Sequence, residues 1–274
     1  MRLAFAAVML IALPMGCAGT SKSSRPYAEP KVDEVVARLA KARGELTSFR
    51  ADSTMDYWLG NQRAKGEVLV MGTVGAKVRF AALSPAGGSS MAEMACDGSN
   101  FVYIDYQNNC AMSGPCDQRS IAQFFHIELA PDDFLHLAVG TPPVIANPTG
   151  TVTWDANRGV EHVELKSAEG SEKLAIDMRD NHFDVLEAEL VGADGKTRWS
   201  VANSEFVDVK GHRVPNKSQF KSPDNKQDLL VDWGAASARD LNLTIPATSF
   251  QMAPPQGLTQ CGGNAKAPQP AAKP

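Results

Sequence analysis

From about Thr47 to Trp233 the chain keeps returning to one pattern, apolar residues at every second position with turn residues between the runs. Val78 and Phe80 alternate with Lys77 and Arg79; Val163 and Leu165 with Glu164 and Lys166. Leu174, Ile176 and Met178 alternate with Lys173, Asp177 and Arg179, and Leu186, Ala188 and Leu190 with Glu187 and Glu189. A period of two is the pleat of a half-buried β-strand. Asp97-Gly98, Asp194-Gly195 and Lys210-Gly211 supply hairpin turn chemistry between the runs. About ten or eleven antiparallel strands are predicted, so the fold class is mainly β.

Two stretches depart from this period. Val32, Val35, Val36, Leu39 and Leu46 follow helical spacing, with Asp33, Glu34, Arg38, Lys41 and Arg43 on the other side, which predicts an amphipathic N-terminal helix. Between Asp117 and Gly140, Ile121, Phe124 and Phe125 precede Pro131-Asp132-Asp133, then Phe134, Leu135, Leu137 and Ala138. Proline in the first turn with acidic neighbours starts a helix, so two short helices are expected here, and Asp132-Asp133 is read as helix-start charge rather than a catalytic pair.

An antiparallel sheet of this size curls, and its concave face needs a cover. The three helices are the candidates. The candidate lining of the space beneath them comprises Val70, Phe80, Phe101, Tyr103, Ile176, Leu190, Trp199 and Trp233 from strands, with Phe124, Phe125, Phe134 and Leu137 from helices. Packed tightly, these residues are a core; packed loosely, they form a site for an acyl chain.

The start of the chain reads as an export signal. Arg2 is followed by the uncharged, mostly apolar stretch Leu3 to Leu13, too short for a spanning helix, and then by Pro14-Met15-Gly16-Cys17. Small residues before a cysteine suit lipoprotein processing, with Cys17 as the lipid-attachment residue; Pro14 stands where that motif usually has Leu. The expected organisation is a signal peptide at 1–16, a lipidated tether at 17–31, a barrel domain at 32–260 and a disordered tail at 261–274. Ala18 to Pro30 reads as a flexible tether reaching at most about 40 Å. The expected location is the periplasmic face of a bacterial outer membrane, held through the N-terminal lipid.

With Cys17 lipidated, Cys96, Cys110, Cys116 and Cys261 remain, enough for two disulfides in three possible pairings. Cys110 and Cys116 flank a natural loop to staple, which leaves Cys96 for Cys261. A zinc site is the alternative, but no CxxC pair or suitably spaced His supports it.

The 274 residues carry a formal net charge of −4 and no basic run, which argues against a nucleic-acid partner. No G-x-S-x-G, HExxH or phosphate loop is present. His126 and His136 are read as structural or solvated, and Trp154 as core. The expectation is a monomeric non-enzyme with no cofactor and no metal.

The order of elements resembles the LolA/LolB lipoprotein-carrier superfamily. Leu46-Thr47-Ser48-Phe49-Arg50-Ala51 is similar to the start of that family's first strand, and Ala82-Leu83-Ser84-Pro85 to the close of an early one. Ala95 to Tyr103 is similar to its Asp-Gly hairpin, Phe134-Leu135-His136-Leu137 falls where its lid helices lie, and Phe250 to Gly257 resembles its closing F-x-x-P-P-x-G segment. The resemblance covers about 32 to 260. It implies a half-open antiparallel β-barrel closed by the N-terminal helix and two short lid helices. Such a barrel holds acyl chains of a passenger lipoprotein or a lipid, and an N-terminal lipid makes the membrane-anchored receptor the nearer likeness. The shuttle's lid-latching basic residue has no match around Thr73-Val74-Gly75-Ala76, and Pro85-Ala86-Gly87-Gly88 lacks the receptor's protruding apolar loop. Alternatives are an envelope sensor or interaction module on the same fold, and a structural lipoprotein with a solid core.

Overall fold

In a computed structural model, which describes residues 23–59, 62–84, 88–120, 130–221 and 227–261, the period-two runs become strands of one large sheet. The helix α1 (Val32–Glu45) precedes β1 (Ser48–Leu59), β2 (Gln62–Thr73), β3 (Lys77–Leu83), β4 (Ser90–Asp97), β5 (Asn100–Asp105) and β6 (Cys110–Pro115). After α2 (Pro131–Ala138) come β7 (Thr149–Asp155), β8 (Val160–Ser167), β9 (Gly170–Asp177), β10 (Asp184–Gly192) and β11 (Thr197–Ser204). Then follow the small hairpin β12 (Val207–Val209) and β13 (His212–Val214), β14 (Lys217–Lys221), β15 (Gln227–Asp232), β16 (Arg239–Leu241) and β17 (Thr259–Gln260).

The sheet runs β17-β6-β5-β4-β3-β2-β1-β15-β14-β11-β10-β9-β8-β7, and β16 also pairs with β1. Every pair is antiparallel except β17 with β6. Among the described residues no ladder joins β7 to β6 or β17, so the barrel is half-open. Strands outnumber the sequence expectation because short segments such as β12, β13, β16 and β17 span too few residues for alternation to register.

The β1–β15 pairing, Thr54 opposite Asp232 through Leu59 opposite Gln227, welds the two halves of the sheet. The chain can leave β15 so close to β1 because residue 234 is glycine at φ +74°. A Cβ there would lie 2.5 Å from the Asp52 carbonyl oxygen. In β10 a bulge between Val185 and Glu187 resets the alternation, so that Val185 is buried along with Ala188.

Because neighbours run antiparallel, alternate turns share a rim. One rim carries the start of β1, the β2–β3 turn, the β7–β8 turn and the β9–β10 connection. The opposite rim carries the β5–β6, β8–β9 and β10–β11 turns.

The disulfide pairing differs from the one the sequence suggested. Cys96 bonds Cys116, and Cys110 bonds Cys261. The stretch expected to be a stapled loop is instead β6, held against β5 from Cys110 opposite Asp105 to Pro115 opposite Asn100. An extended strand holds Cys110 and Cys116 about 20 Å apart, far beyond bonding range. Cys116 meets Cys96 across the β4–β5 hairpin, while Cys261, just after β17, meets Cys110. The last pair ties down a C-terminal strap whose Phe250 is buried and whose Ser249 carbonyl accepts a bond from Arg79 of β3 at 3.0 Å.

Candidate functional site

Register alone assembles an apolar inner face. Ala51, Val70, Phe80, Met94, Tyr103 and Met112 stand directly opposite one another across β1 to β6. Leu229, Phe220, Val201, Ala188, Leu174 and Val163 form the corresponding row on the other half. The helix α2 covers the first row. Pro131 sits in its first turn with Asp132 and Asp133, as the sequence predicted, and Phe134, Leu135, Leu137 and Ala138 are buried. Phe134 meets Phe80 edge-on with ring centroids 4.9 Å apart. Leu135 approaches so closely that a Cβ on Gly72 would lie 3.0 Å from its Cδ1. Each such buried side chain contributes about 1.5–3 kcal/mol toward holding the helix down.

Polar groups ring this cover. Arg43, in the last turn of α1, donates to the Thr141 carbonyl oxygen at 3.1 Å and to Asp133 Oδ1 at 3.2 Å. The Ala76 amide donates to Asp132 Oδ1 at 2.6 Å, tying the start of α2 to the β2–β3 turn. So Asp132 and Asp133, read from sequence as helix-start charge, also fasten the helix. His136 is buried beneath it, and burial, with the nearby Arg43 charge, holds its imidazole down at about 4. Glu172 faces the same region from β9, completely buried. Its Oε2 accepts a bond from the Ile145 amide at 3.3 Å, and among the described residues its Oε1 has no hydrogen-bond partner. Burial pushes this carboxyl up to about 8, so it is largely protonated at neutral pH.

A second buried carboxylate, Glu161 of β8, is met differently. Arg25 Nε lies 2.8 Å from its Oε1, and Nη2 donates to Oε2 at 3.1 Å. Trp154 Nε1 donates to the Ser23 carbonyl oxygen at 2.9 Å, and the Ser23 amide donates to the Ala156 carbonyl oxygen at 2.9 Å. Tyr27 packs edge-on against Trp154, and its hydroxyl is pushed up to about 12, by burial first and then by the Glu161 charge. The stretch expected to be a free tether is therefore docked on the sheet from Ser23 onward. Among the described residues, no group of three or more His, Cys, Asp or Glu could hold a metal ion, and no helix is long and apolar enough to cross a membrane.

No family model matches the sequence, and no curated protein matches it. The architecture does match solved structures. A LolA superfamily protein from Nitrosomonas europaea superposes with TM-score 0.52 at 12% identity, over 80% of this chain and 97% of that one. An outer membrane lipoprotein-sorting protein domain from Vibrio parahaemolyticus gives 0.56 at 9%, over 79% and 94%. A DUF1329 family protein from Desulfovibrio piger gives 0.53 at 10%, over 79% and 94%. The chain has a LolA-like fold.

Within this LolA-like fold, Val70, Phe80, Phe101, Tyr103, Phe134, Leu137, Ile176, Trp199 and Trp233 all fall in one continuous buried cluster, with Leu190 partly buried against it. Cys17, Phe124 and Phe125 lie outside the described residues. The predicted lining is brought together as packed side chains of one cluster, in which Phe134 of α2 meets Phe80 of β3. A groove of about 400 Å³ lies instead on the opposite, solvent-facing side of β8 to β11 and β14, between His162, Lys173, Glu187, Glu189, Gln219 and Lys221.

Sequence reasoning missed Arg25, Arg43, Glu161 and Glu172. The two glutamates carried a signal. Glu161 is in phase with Val163 and Leu165, and Glu172 with Leu174 and Ile176, so each occupies the inward position of its strand. A carboxylate in the apolar phase is costly unless paired or neutralised. The arginines left no such mark, since neither its spacing nor its neighbours distinguishes Arg25 or Arg43 from a solvated cation.

Proposed function

We propose that this protein is an envelope protein, lipid-anchored through Cys17, that receives acyl chains of a lipoprotein or lipid under α2 and passes them on at the periplasmic face of the outer membrane. The observation that carries this reading is the packing of Phe134, Leu135 and Leu137 of a short helix against the apolar inner face of an unclosed LolA-like sheet. An acyl chain replacing Phe134, Leu135 and Leu137 against Phe80 and Gly72 exchanges one apolar partner for another, at about 0.8 kcal/mol per buried methylene. Opening then has to break the rim contacts, which are Arg43 with Asp133 and Thr141, and Asp132 with the Ala76 amide. The process is binding and release, with no covalent step and no cofactor.

The test is mass spectrometry of organic extracts from protein purified without its own anchor, together with Phe134→Asp. The reading expects co-purifying lipid in the parent and its loss in a folded variant. A second reading, a structural lipoprotein with a solid core, draws on the close approach of Leu135 to Gly72. It expects no lipid in the parent and an unfolded Phe134→Asp variant, because a buried unpaired charge has no compensation there.

A further inference from the structure

The docked N-terminal segment has a geometric consequence for an anchor at Cys17. Only six residue steps separate Cys17 from Ser23, which limits their separation to about 20 Å. Ser23 is bonded at the end of β7 through Ala156 and Trp154. Arg25 then enters the sheet and meets Glu161, which no solvent reaches. Tyr27 stacks edge-on against Trp154, and Pro30 is buried just before α1 begins. Peeling the segment away would strip Glu161 of its guanidinium, so the segment behaves as part of the domain.

We propose that residues 23–30 are a rigid spacer that orients the barrel on its membrane, holding one rim toward a phospholipid surface and the other away from it. The near rim carries the β7–β8 turn, the β9–β10 connection and the β2–β3 turn, where Ala76 holds the start of α2. The far rim carries the β10–β11 turn at Asp194-Gly195. The cover over the apolar face is thus fastened at the rim that faces the bilayer. This inference rests on the proposed lipid attachment at Cys17, and its test is arranged to stand apart from that attachment.

Four of the five cysteines are in disulfides, so Cys17 is the free thiol of a chain running from 17 to 274. That chain can be coupled through Cys17 to a maleimide lipid in phosphatidylcholine vesicles, whether or not a cell lipidates it. A fluorescent amino acid is placed either at Asn157 or at Gly195, and a quencher is carried on the lipid headgroups. The turns are separated by roughly a strand length, ~25 Å, so quenching at 157 should exceed that at 195 by about threefold. Inserting twelve Gly/Ser residues between Lys22 and Ser23, which leaves the docked contacts intact, should bring the two positions to equal quenching. Equal quenching without the insertion, or a preference that survives it, overturns the proposal. The N-terminal mass of protein from its own host tests the lipid separately; an unacylated Cys17 would overturn the anchor without altering the vesicle result.

Discussion

Glu161 and Glu172 sit on the same inward face of one hairpin, about 13 Å apart along it, and neither exposes any surface. They are accommodated in opposite ways. Glu161 lies near the rim reached by the N-terminal segment and is given an arginine from outside the sheet. Glu172 lies toward the opposite rim, two residues into β9, where the loop after α2 reaches it through Ile145; among the described residues it receives one amide bond and no cation. Arg43, whose charge acts on Glu172, bonds Asp133 and the Thr141 carbonyl instead. One end of the face is thus fixed by charge pairing, while the end beside the covering helix is kept neutral. Under the opening proposed above, a neutral floor hinders the lifting of α2 less than a buried ion pair would.

The sharpest way to break this contrast is Arg25→Ala. Glu161 would be left buried without its partner, and we expect a loss of about 3–5 kcal/mol at pH 7, read from the urea midpoint. Adding Glu161→Gln should recover most of it; if the double variant is as unstable as the single, the loss comes from the segment's packing and not from the carboxylate.

Glu172→Gln should move stability the other way. In the unfolded chain this carboxyl loses its proton near the ordinary 4.5, and in the folded protein near about 8. Between those values the unfolded state binds fewer protons, so Glu172 makes stability fall as pH rises from 4.5 to 8, then level off. The amide removes that slope, and at pH 8 the variant should be more stable by on the order of 3 kcal/mol. An unchanged profile would mean that the cover admits water to the carboxyl.

His136→Asn tests the acid side of the same pocket. The folded imidazole titrates at about 4 against an ordinary 6.5, so its contribution is complete above 6.5 and is lost as pH falls toward 4. Melting followed from pH 7 to pH 4 should show a shallower decline in the variant, by roughly 2 kcal/mol at the acid end. The smallest effect belongs to Arg43→Gln. Both Arg43 and Asp133 are partly exposed, so about 1 kcal/mol of global stability is expected. Hydrogen exchange should nonetheless quicken selectively in α2, which separates a fastener of the cover from a general stabiliser.

The same contrast explains what could be read beforehand. Alternation found the strands whose one face is buried, and Pro131-Asp132-Asp133 with Gly140 placed α2 to within a residue or two. It could not find β6, because Ala111-Met112-Ser113-Gly114-Pro115 has no β-branched residue and becomes a strand only through its pairing with β5. That miss produced the wrong disulfide pairing. The docked segment was missed for a related reason: Ser23 to Pro30 has a linker's composition, and its fixed position comes from Glu161 and Trp154, more than 120 residues away. The candidate lining was legible because burial follows phase; its tight packing against α2 depends on how near two backbones approach at Gly72, which no periodicity encodes.

The two disulfides also impose an order on assembly. Cys96 and Cys116 are separated by 20 positions and can join once the β4–β6 meander exists. Cys110 must wait for a partner 151 positions later, when almost the whole chain has emerged. During that interval its thiol is open to capture. By keeping Cys110 and Cys116 at opposite ends of an extended strand, β6 bars the short bridge between them and leaves the Cys110 thiol within reach of the last strand in the chain.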